Sequence, residues 1–285
     1  MSIGPARALL LLSILVVLPG CSTLFFYPYR HHVLVPTQLG LVYQDVYFNS
    51  SGGLVLHGWW LPAEGYPLAT VLFLHGNAEN ISTHIGSIFW LPAAHFNVFL
   101  FDYRGYGASQ GKPTIPGVIE DAESALRTLS QRSGIDTHRL VLIGQSLGGV
   151  LALYIAAHSA YRAHLRAVIS DSAFSSYRLI AREKFAAFWP TWLFQWPLSW
   201  TVSDVYSPLS AILKVSPIPV LIVHGDRDRI VPVHHALRIY EAAQEPKQLW
   251  ILPEVAHIQS FKRRDTRERL VRYLQDRLGY DRGGR

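Results

Sequence analysis

The sequence predicts an α/β fold: a mostly parallel central sheet with helices on both faces and a helical cap inserted late in the chain. Three observations carry that expectation. From about residue 70 onward, short apolar runs bounded by turn residues alternate with helical stretches, the pattern of repeated strand–helix–strand units. The runs are apolar throughout rather than alternating, as strands buried on both faces are. Almost fifty residues between the run ending near Ser170 and the one starting near Pro219 break the rhythm and are dense in aromatics.

The chain opens on an address. A single cation, Arg7, precedes the apolar run 9–18. That run is shorter than the roughly 20 residues a bilayer-spanning helix needs, and it has the length of a signal-peptide core. It ends in Leu18-Pro19-Gly20-Cys21, which resembles a bacterial lipobox. The resemblance implies cleavage of a signal peptide 1–20, a diacylglyceryl group on Cys21 and N-acylation, enough acyl chain for stable anchoring. The alternative is an uncleaved signal anchor with an inert Cys21. Ser22 stands where an inner-membrane retention signal would place Asp, which by analogy favours the outer membrane, periplasmic side, if the source is Gram-negative. Residues 21–39 are then expected as a short membrane tether. Its Phe25, Phe26, Tyr27 and Tyr29 suit a membrane interface or the start of packing on the domain.

The body is expected over 40–280. Stretches 41–48 and 54–61 read as strands joined through Asn49-Ser50-Ser51-Gly52-Gly53, a hairpin signal. Strands follow at 70–74, 97–101, 140–143, 167–170, 220–223 and 248–252. Helices are expected at 81–94, at 116–130 with a proline near its start, and at 147–157, 233–243 and 260–278. The aromatic insertion, about 174–212, holds Phe185, Phe188, Trp189, Trp192, Phe194, Trp196 and Trp200. Long insertions in compact domains are usually functional. This one is expected as a cap giving the site an apolar wall, against the plainer reading of a helix pair on the core.

Composition narrows the classes. With 285 residues, 49% hydrophobic and 16% charged, the chain can bury a large core and is not disordered. A single cysteine excludes an intrachain disulfide and a cysteine-rich metal site. The formal net charge of +6 reads first as a solvated surface with surplus arginine; it would also suit an anionic membrane face, and no interleaved basic and aromatic stripe points to nucleic acid. Neither a His-Glu-x-x-His metal spacing, a phosphate loop nor a dinucleotide fingerprint occurs. No metal or cofactor is expected. The pairs His31-His32 and His234-His235 read as structural, and oligomeric state is left unassigned.

The chemistry sits in Gly144-Gln145-Ser146-Leu147-Gly148, a G-x-S-x-G that follows a strand and opens a helix. Such a turn reverses sharply, and side chains at 144 and 148 would collide with neighbouring elements, so glycine fits. A serine hydroxyl there needs a base to act as nucleophile at neutral pH. His257 is the histidine downstream of the last expected strand, in the loop leaving its carboxyl end. His224, His234 and His235 are weaker candidates; His224 ends a buried strand and is expected to satisfy backbone groups. The acid should leave the strand 220–223, where Asp226 and Asp228 both lie; Asp228, deeper in the loop, is preferred, with Asp171 after the previous strand as a third choice. Acyl transfer also needs oxyanion donors: the N–H of Leu147, and that of Asn77 in the loop His75-Gly76-Asn77-Ala78, with Ala78 as the fallback. Asp102 and Arg104, in Asp102-Tyr103-Arg104-Gly105-Tyr106-Gly107, are expected to brace that loop.

Taken together, H-G-N-A at His75, D-Y-R-G-Y-G at Asp102, G-x-S-L-G-G at Ser146, H-G-x-x-D-x-x-V at His224 and the late His257 resemble the α/β-hydrolase superfamily. The nearest branch is similar to the abhydrolase-domain serine hydrolases, which include acyl-protein depalmitoylases and monoacylglycerol lipases. The resemblance spans roughly residues 40–280. It implies a Ser146, His257, Asp228 triad working through an acyl-enzyme on a carboxylic ester or thioester, with an acyl-lipid substrate and a bacterial envelope lipoprotein as the setting. Two departures stand out: Val255-Ala256 precedes His257 where the family often has Gly, and the branch's cysteine-rich N-terminus is missing. A serine peptidase of the same fold and a non-catalytic envelope scaffold remain as alternatives.

Overall fold

The computed structural model describes residues 25–280. The expected signal peptide 1–20 and the lipidation candidate Cys21 lie outside the described residues. No helix among the described residues is long and apolar enough to cross a membrane.

Among the described residues ten strands form in chain order. Two are two-residue strands, β1 (Tyr27–Pro28) and β5 (Ala78–Glu79), which pair parallel with each other. The other eight are β2 (Gln44–Asn49), β3 (Val55–Leu61), β4 (Ala69–Leu74), β6 (Phe96–Phe101), β7 (Leu140–Gln145), β8 (Leu165–Asp171), β9 (Val220–Gly225) and β10 (Lys247–Leu252). They make one sheet in the order β10-β9-β8-β7-β4-β6-β3-β2. Only β3 runs against the others, antiparallel to both of its neighbours, β2 and β6. The expected mostly parallel sheet is therefore present, with the hairpin at one edge.

The two faces of the sheet follow from the period of two along each strand. Leu72 and Leu74, Leu140 and Leu142, Val220 and Ile222 point into one core. Val71 and Phe73, Val141 and Ile143, Leu221 and Val223 point into the other. The first core is covered by helices α2 (Ile115–Ser130) and α3 (Leu147–His158). The second is covered by α1 (Ile81–His84) and the C-terminal α8 (Arg264–Arg277). Helix α3 is apolar all round and almost wholly buried, as a helix at the centre of a large domain must be. Four further helices complete the described set: α4 (Tyr177–Ala187), α5 (Gln195–Trp200), α6 (Pro208–Ala211) and α7 (His234–Ala242).

Three expectations change. The helix expected at 81–94 is broken into α1 and 3-10 turns at Ile85–Ser87 and Pro92–Ala94. Gly86 weakens its middle and Pro92 cannot donate the next hydrogen bond. The helix expected at 260–278 starts with a separate 3-10 turn, Ser260–Lys262, because Arg263 is extended. Residues 25–39, expected as a tether, are part of the body. Tyr27 donates its N–H to the Asn77 carbonyl (2.8 Å), Tyr29 donates to Glu79 (3.0 Å), and the Asn80 side chain donates to the carbonyls of Tyr29 (3.0 Å) and His31 (2.8 Å). Phe26 is buried in the core, so these aromatics pack on the domain.

Candidate active site

Ser146 stands between β7 and α3 with φ 53° and ψ −116°, a conformation that costs of order 1–3 kcal/mol outside glycine. The two flanking glycines are required by close approach. A Cβ on Gly144 would fall on the Gly148 carbonyl, and one on Gly148 would fall on the carbonyl of Leu74 in β4. The turn therefore closes only with glycine at both positions, and it lifts Ser146 to the carboxyl edge of the sheet. Positive φ recurs around it at Glu79 (64°), Ser172 (56°), Glu254 (59°) and Ile258 (52°). For β-branched Ile258 that conformation is a true outlier, and strain of this kind collects where a site is held in shape.

Ser146, Leu147 and Asn77 line one cavity of about 310 Å³. The Leu147 N–H is the first amide of α3 and has no partner inside the helix. The Asn77 N–H takes no hydrogen bond among the described residues, while its carbonyl accepts from Tyr27 N–H (2.8 Å) and the Tyr106 hydroxyl (2.6 Å). Both residues thus border the space beside the serine. Ala78, the fallback, is instead in β5 and does not line the cavity.

His257 and Asp228, which are 29 positions apart, meet at 2.7 Å between Nδ1 and Oδ2. The other carboxylate oxygen accepts the N–H groups of Ile230 (2.9 Å) and Val231 (2.8 Å). Burial alone would push the Asp228 carboxyl up. Hydrogen bonds from His224, His257 and Val231 N–H outweigh it and hold the group well below the usual carboxylate range. Asp228 is thus an anion, the imidazole donates to it through Nδ1, and Nε2 keeps the lone pair. Asp226 accepts the Glu254 N–H (2.7 Å) and so shapes the loop that carries His257. His224 bonds the Val231 carbonyl (2.8 Å), as its place at a strand end led us to expect.

Sequence reasoning missed a buried network that joins the Ser146 turn to the His257 loop. Asp171 accepts from the Gln145 side-chain amide (2.8 Å) and the Ser260 hydroxyl (2.6 Å). Gln145 also reaches the Ile258 carbonyl (3.5 Å), and the Ser172 hydroxyl accepts the Ile258 N–H (3.1 Å). The neighbours of Ser146 are in this way bonded to the neighbour of His257. Burial pushes the Asp171 carboxyl up against these hydrogen bonds. Asp171, the third candidate acid, takes no hydrogen bond from His257 and serves as the hub of this network.

The loop expected to be braced by Asp102 and Arg104 is held by only one of them. Asp102 accepts the Ile81 N–H (3.0 Å) just past the H-G-N-A loop and the His32 Nε2–H (2.7 Å). Arg104 turns away and pairs with Asp121 (2.8 Å) and Glu120 (3.0 Å) on α2. Its forked donors suit two carboxylates on a helix better than the backbone of the loop.

The expected apolar wall is present but built differently. Helix α4 supplies Ile180, Ala181, Lys184 and Phe185, and the N-terminal segment supplies Phe25 and Tyr27. The tryptophans at 189, 192, 196 and 200 do not line the cavity. Helix α5 lies along the other side of α4, where Trp196 and Trp200 face Arg178, Leu179 and Arg182 across a separate crevice. Aromatic density marked the cap, but only the packing of α5 on α4 decides which aromatics face inward.

Two clusters among the described residues place three potential ligand atoms within 4.8 Å of one another: His32, His57 and Asp102, and Glu183, His234 and His235. In the second, the Ser175 N–H donates to His235 Nδ1 (3.1 Å). The Nε2 facing Glu183 (3.1 Å) therefore carries the proton and is not free to ligate. In the first, both Asp102 oxygens are engaged as described. Neither cluster lines the cavity at Ser146.

Burial holds three histidines neutral: His75 with its pKa lowered to about 3, His235 to about 4, and His84 lowered as well. The unfolded chain protonates them near pH 6.5, so below that pH the unfolded state binds more protons and stability falls. His57 has the opposite sign. Burial lowers its pKa, but hydrogen bonds with Asp102 and Asp45 raise it above the ordinary value, so its contribution is present at low pH and lost as pH rises. With these three groups against His57 and the buried Asp171, whose raised pKa also favours the folded state at low pH, the melting temperature of the full chain is expected to drop from pH 6.5 to pH 4. A Tm constant over that interval would contradict the burial of these rings.

Comparison with known proteins agrees with the fold. The model of the prolyl oligopeptidase family matches residues 88–280. The uncharacterized protein YfhR of Escherichia coli is 37% identical over 242 residues, 82% of this chain and 81% of that one. The α/β-hydrolase domain-containing protein WAV2 of Arabidopsis thaliana is 30% identical over 259 residues, covering 86% of this chain and 80% of its own length. Among solved structures, an esterase of Pyrococcus furiosus superposes with a TM-score of 0.70 at 23% identity, over 90% of this chain and 97% of that one. The chain is therefore a hydrolase of the prolyl oligopeptidase family, within the α/β-hydrolase superfamily.

Proposed function

We propose that this hydrolase cleaves carboxylic esters or thioesters of acyl chains through an acyl-enzyme. Ser146 is the nucleophile, His257 the general base and Asp228 the residue that orients it. In the first step Ser146 Oγ attacks the carbonyl and its proton passes to His257 Nε2. The oxyanion is held by the N–H groups of Leu147 and Asn77. The same proton then goes to the leaving alcohol or thiol. In the second step His257 takes a proton from water as the water oxygen attacks the acyl-enzyme carbonyl, and it gives that proton to Ser146 Oγ as the acid leaves. Asp228 stays ionised throughout and stabilises the imidazolium.

The observation that supports this reading is that the strained Ser146, Leu147 and Asn77 line one cavity with Ile230 and Val231, whose N–H groups are accepted by the same Asp228 that bonds His257 Nδ1. The cavity is mainly apolar, with Phe25, Phe174, Ile180 and Phe185 around the serine, which suits an acyl chain better than a peptide with its paired donors and acceptors. The setting we propose is the bacterial cell envelope, with Cys21 lipidated.

One observation favours a second reading. The matching family model is that of a peptidase family, so amide cleavage is the rival chemistry. A series of p-nitrophenyl esters from two to sixteen carbons, run beside matched anilides on the full chain, separates the two. The ester reading expects turnover that rises with chain length before it falls, and no anilide cleavage. Anilide turnover with the esters left intact would select the peptidase.

A further inference from the structure

We propose that the outer face of the cap, on α5 and the turn before it, sits in the interfacial layer of a lipid bilayer, so that the cavity draws its acyl substrate from that membrane. This rests on the ester reading only for the identity of the substrate.

The face is unusual for a protein surface. Phe188, Trp189, Trp192, Phe194, Trp196 and Trp200 are each more than half exposed, Trp189 at 85%. Four of the chain's eight tryptophans fall within twelve positions. Soluble surfaces rarely gather so much apolar area, and Trp is the residue that best occupies the headgroup layer. The charges nearby fit the same occupant. Glu183 is engaged by His234 (2.9 Å) and His235 (3.1 Å), and Asp204 by the Ser176 hydroxyl (2.9 Å). Arg178 and Lys184 remain exposed, and the Arg182 guanidinium lies 4.4 Å over the Trp196 ring. Cations on an aromatic face match anionic headgroups.

The path of the chain selects a membrane over another protein. The described residues begin at Phe25, whose ring packs on Phe174 (6.1 Å) and on Tyr177 (5.0 Å), the first residue of α4. Cys21 is four residues before Phe25 in the sequence, a reach of at most about 14 Å of extended chain. The apolar run 9–18 precedes it. A bilayer that holds that segment is thereby brought to the base of the cap. The cavity rim is apolar on the same helix: Phe185 lines the cavity, and Phe188 follows one turn later in the open. Exposed Tyr27 and Ile230 also line the cavity, and Lys184 Nζ donates to the Ile230 carbonyl (2.6 Å).

The test reads the cap separately from the anchor, because residues 1–24 contain no tryptophan. The full chain is reconstituted in vesicles of phosphatidylcholine and phosphatidylglycerol, with or without 6,7-dibromo-phosphatidylcholine. Bromine quenches tryptophan only at short range; Trp59, Trp60 and Trp250 are buried, and the half-buried Trp90 lies away from the cap against the C-terminal helix. Brominated vesicles are expected to remove roughly half the emission, the share of the four cap tryptophans. Replacing those four by Phe should abolish the quenching, and Ser146→Ala should leave it intact, so an inactive protein does not bear on the result. Emission unaffected by brominated lipid would overturn the proposal, as would equal quenching in the quadruple variant. A third overturning result is absent quenching with a wild-type dimer that the quadruple variant converts to monomer, since the face would then be covered by a second copy of the chain.

Discussion

Replacing Ser146 by Ala is expected to lower kcat on esters by about 10⁴–10⁶, with a folded protein and no labelling by a fluorophosphonate. The size follows from what is lost. Without Oγ no acyl-enzyme forms, and what remains is the contribution of substrate binding and the Leu147 and Asn77 amides. The backbone adds a second, independent expectation. Ser146 sits at φ 53°, and Ala at that position inherits the strain, so Tm should change little. Gly does not carry the penalty. Ser146→Gly should therefore be as inactive as Ser146→Ala yet more stable by about 1 kcal/mol, a rise of about 2–4 °C in Tm for a domain of this size. Stability and activity would then move in opposite directions at one residue, as expected where strain is stored for function. Labelling that survives Ser146→Ala would remove the serine from the mechanism.

What could be read in the sequence, and what could not, divides along physical lines. The Ser146 turn was legible because its cause is local. Glycines two before and two after the serine, between an apolar run and a helix, are demanded by sterics inside the turn 144–149 and by the Leu74 carbonyl. Asp228 and His257 were legible for a related reason. In a parallel sheet every loop after a strand emerges at the same edge, so strand ends far apart in sequence supply side chains to one place. The Asp171 network was not legible. It ties Asp171 to Ser260, 89 positions on, through a hydroxyl, and no periodicity marks such a bond. Of the two readings open for the N-terminal segment, packing on the domain was not singled out, because a two-residue parallel pairing, β1 with β5, is too short to leave a pattern. The cap tryptophans were misread because an aromatic run looks the same whether it faces a cavity or solvent. Only the packing of α5 against α4 distinguishes the two.

Asp228→Asn is expected to cost about 10⁴ in kcat with little change in KM, and the backbone explains why the substitution is so damaging. Asp228 Oδ1 accepts two N–H groups, from Ile230 and Val231. An asparagine must keep its oxygen there, because turning its amide round would set N–H groups against N–H groups. Its NH₂ is then aimed at His257 Nδ1, which at present donates across 2.7 Å. The ring has to accept instead, so its proton moves to Nε2, where the base needs a lone pair. The imidazole stays in place and is in the wrong tautomer. The same change at Asp226 should cost less than tenfold, since that carboxylate only receives the Glu254 N–H at the far side of the loop. Asp171→Asn should fall between the two, because it disturbs Gln145 and Ser260 and leaves the imidazole proton where it is. Measuring kcat for the three variants on one ester orders the candidate acids directly. A larger loss at Asp171 than at Asp228 would move the orienting role to the buried hub beneath the serine.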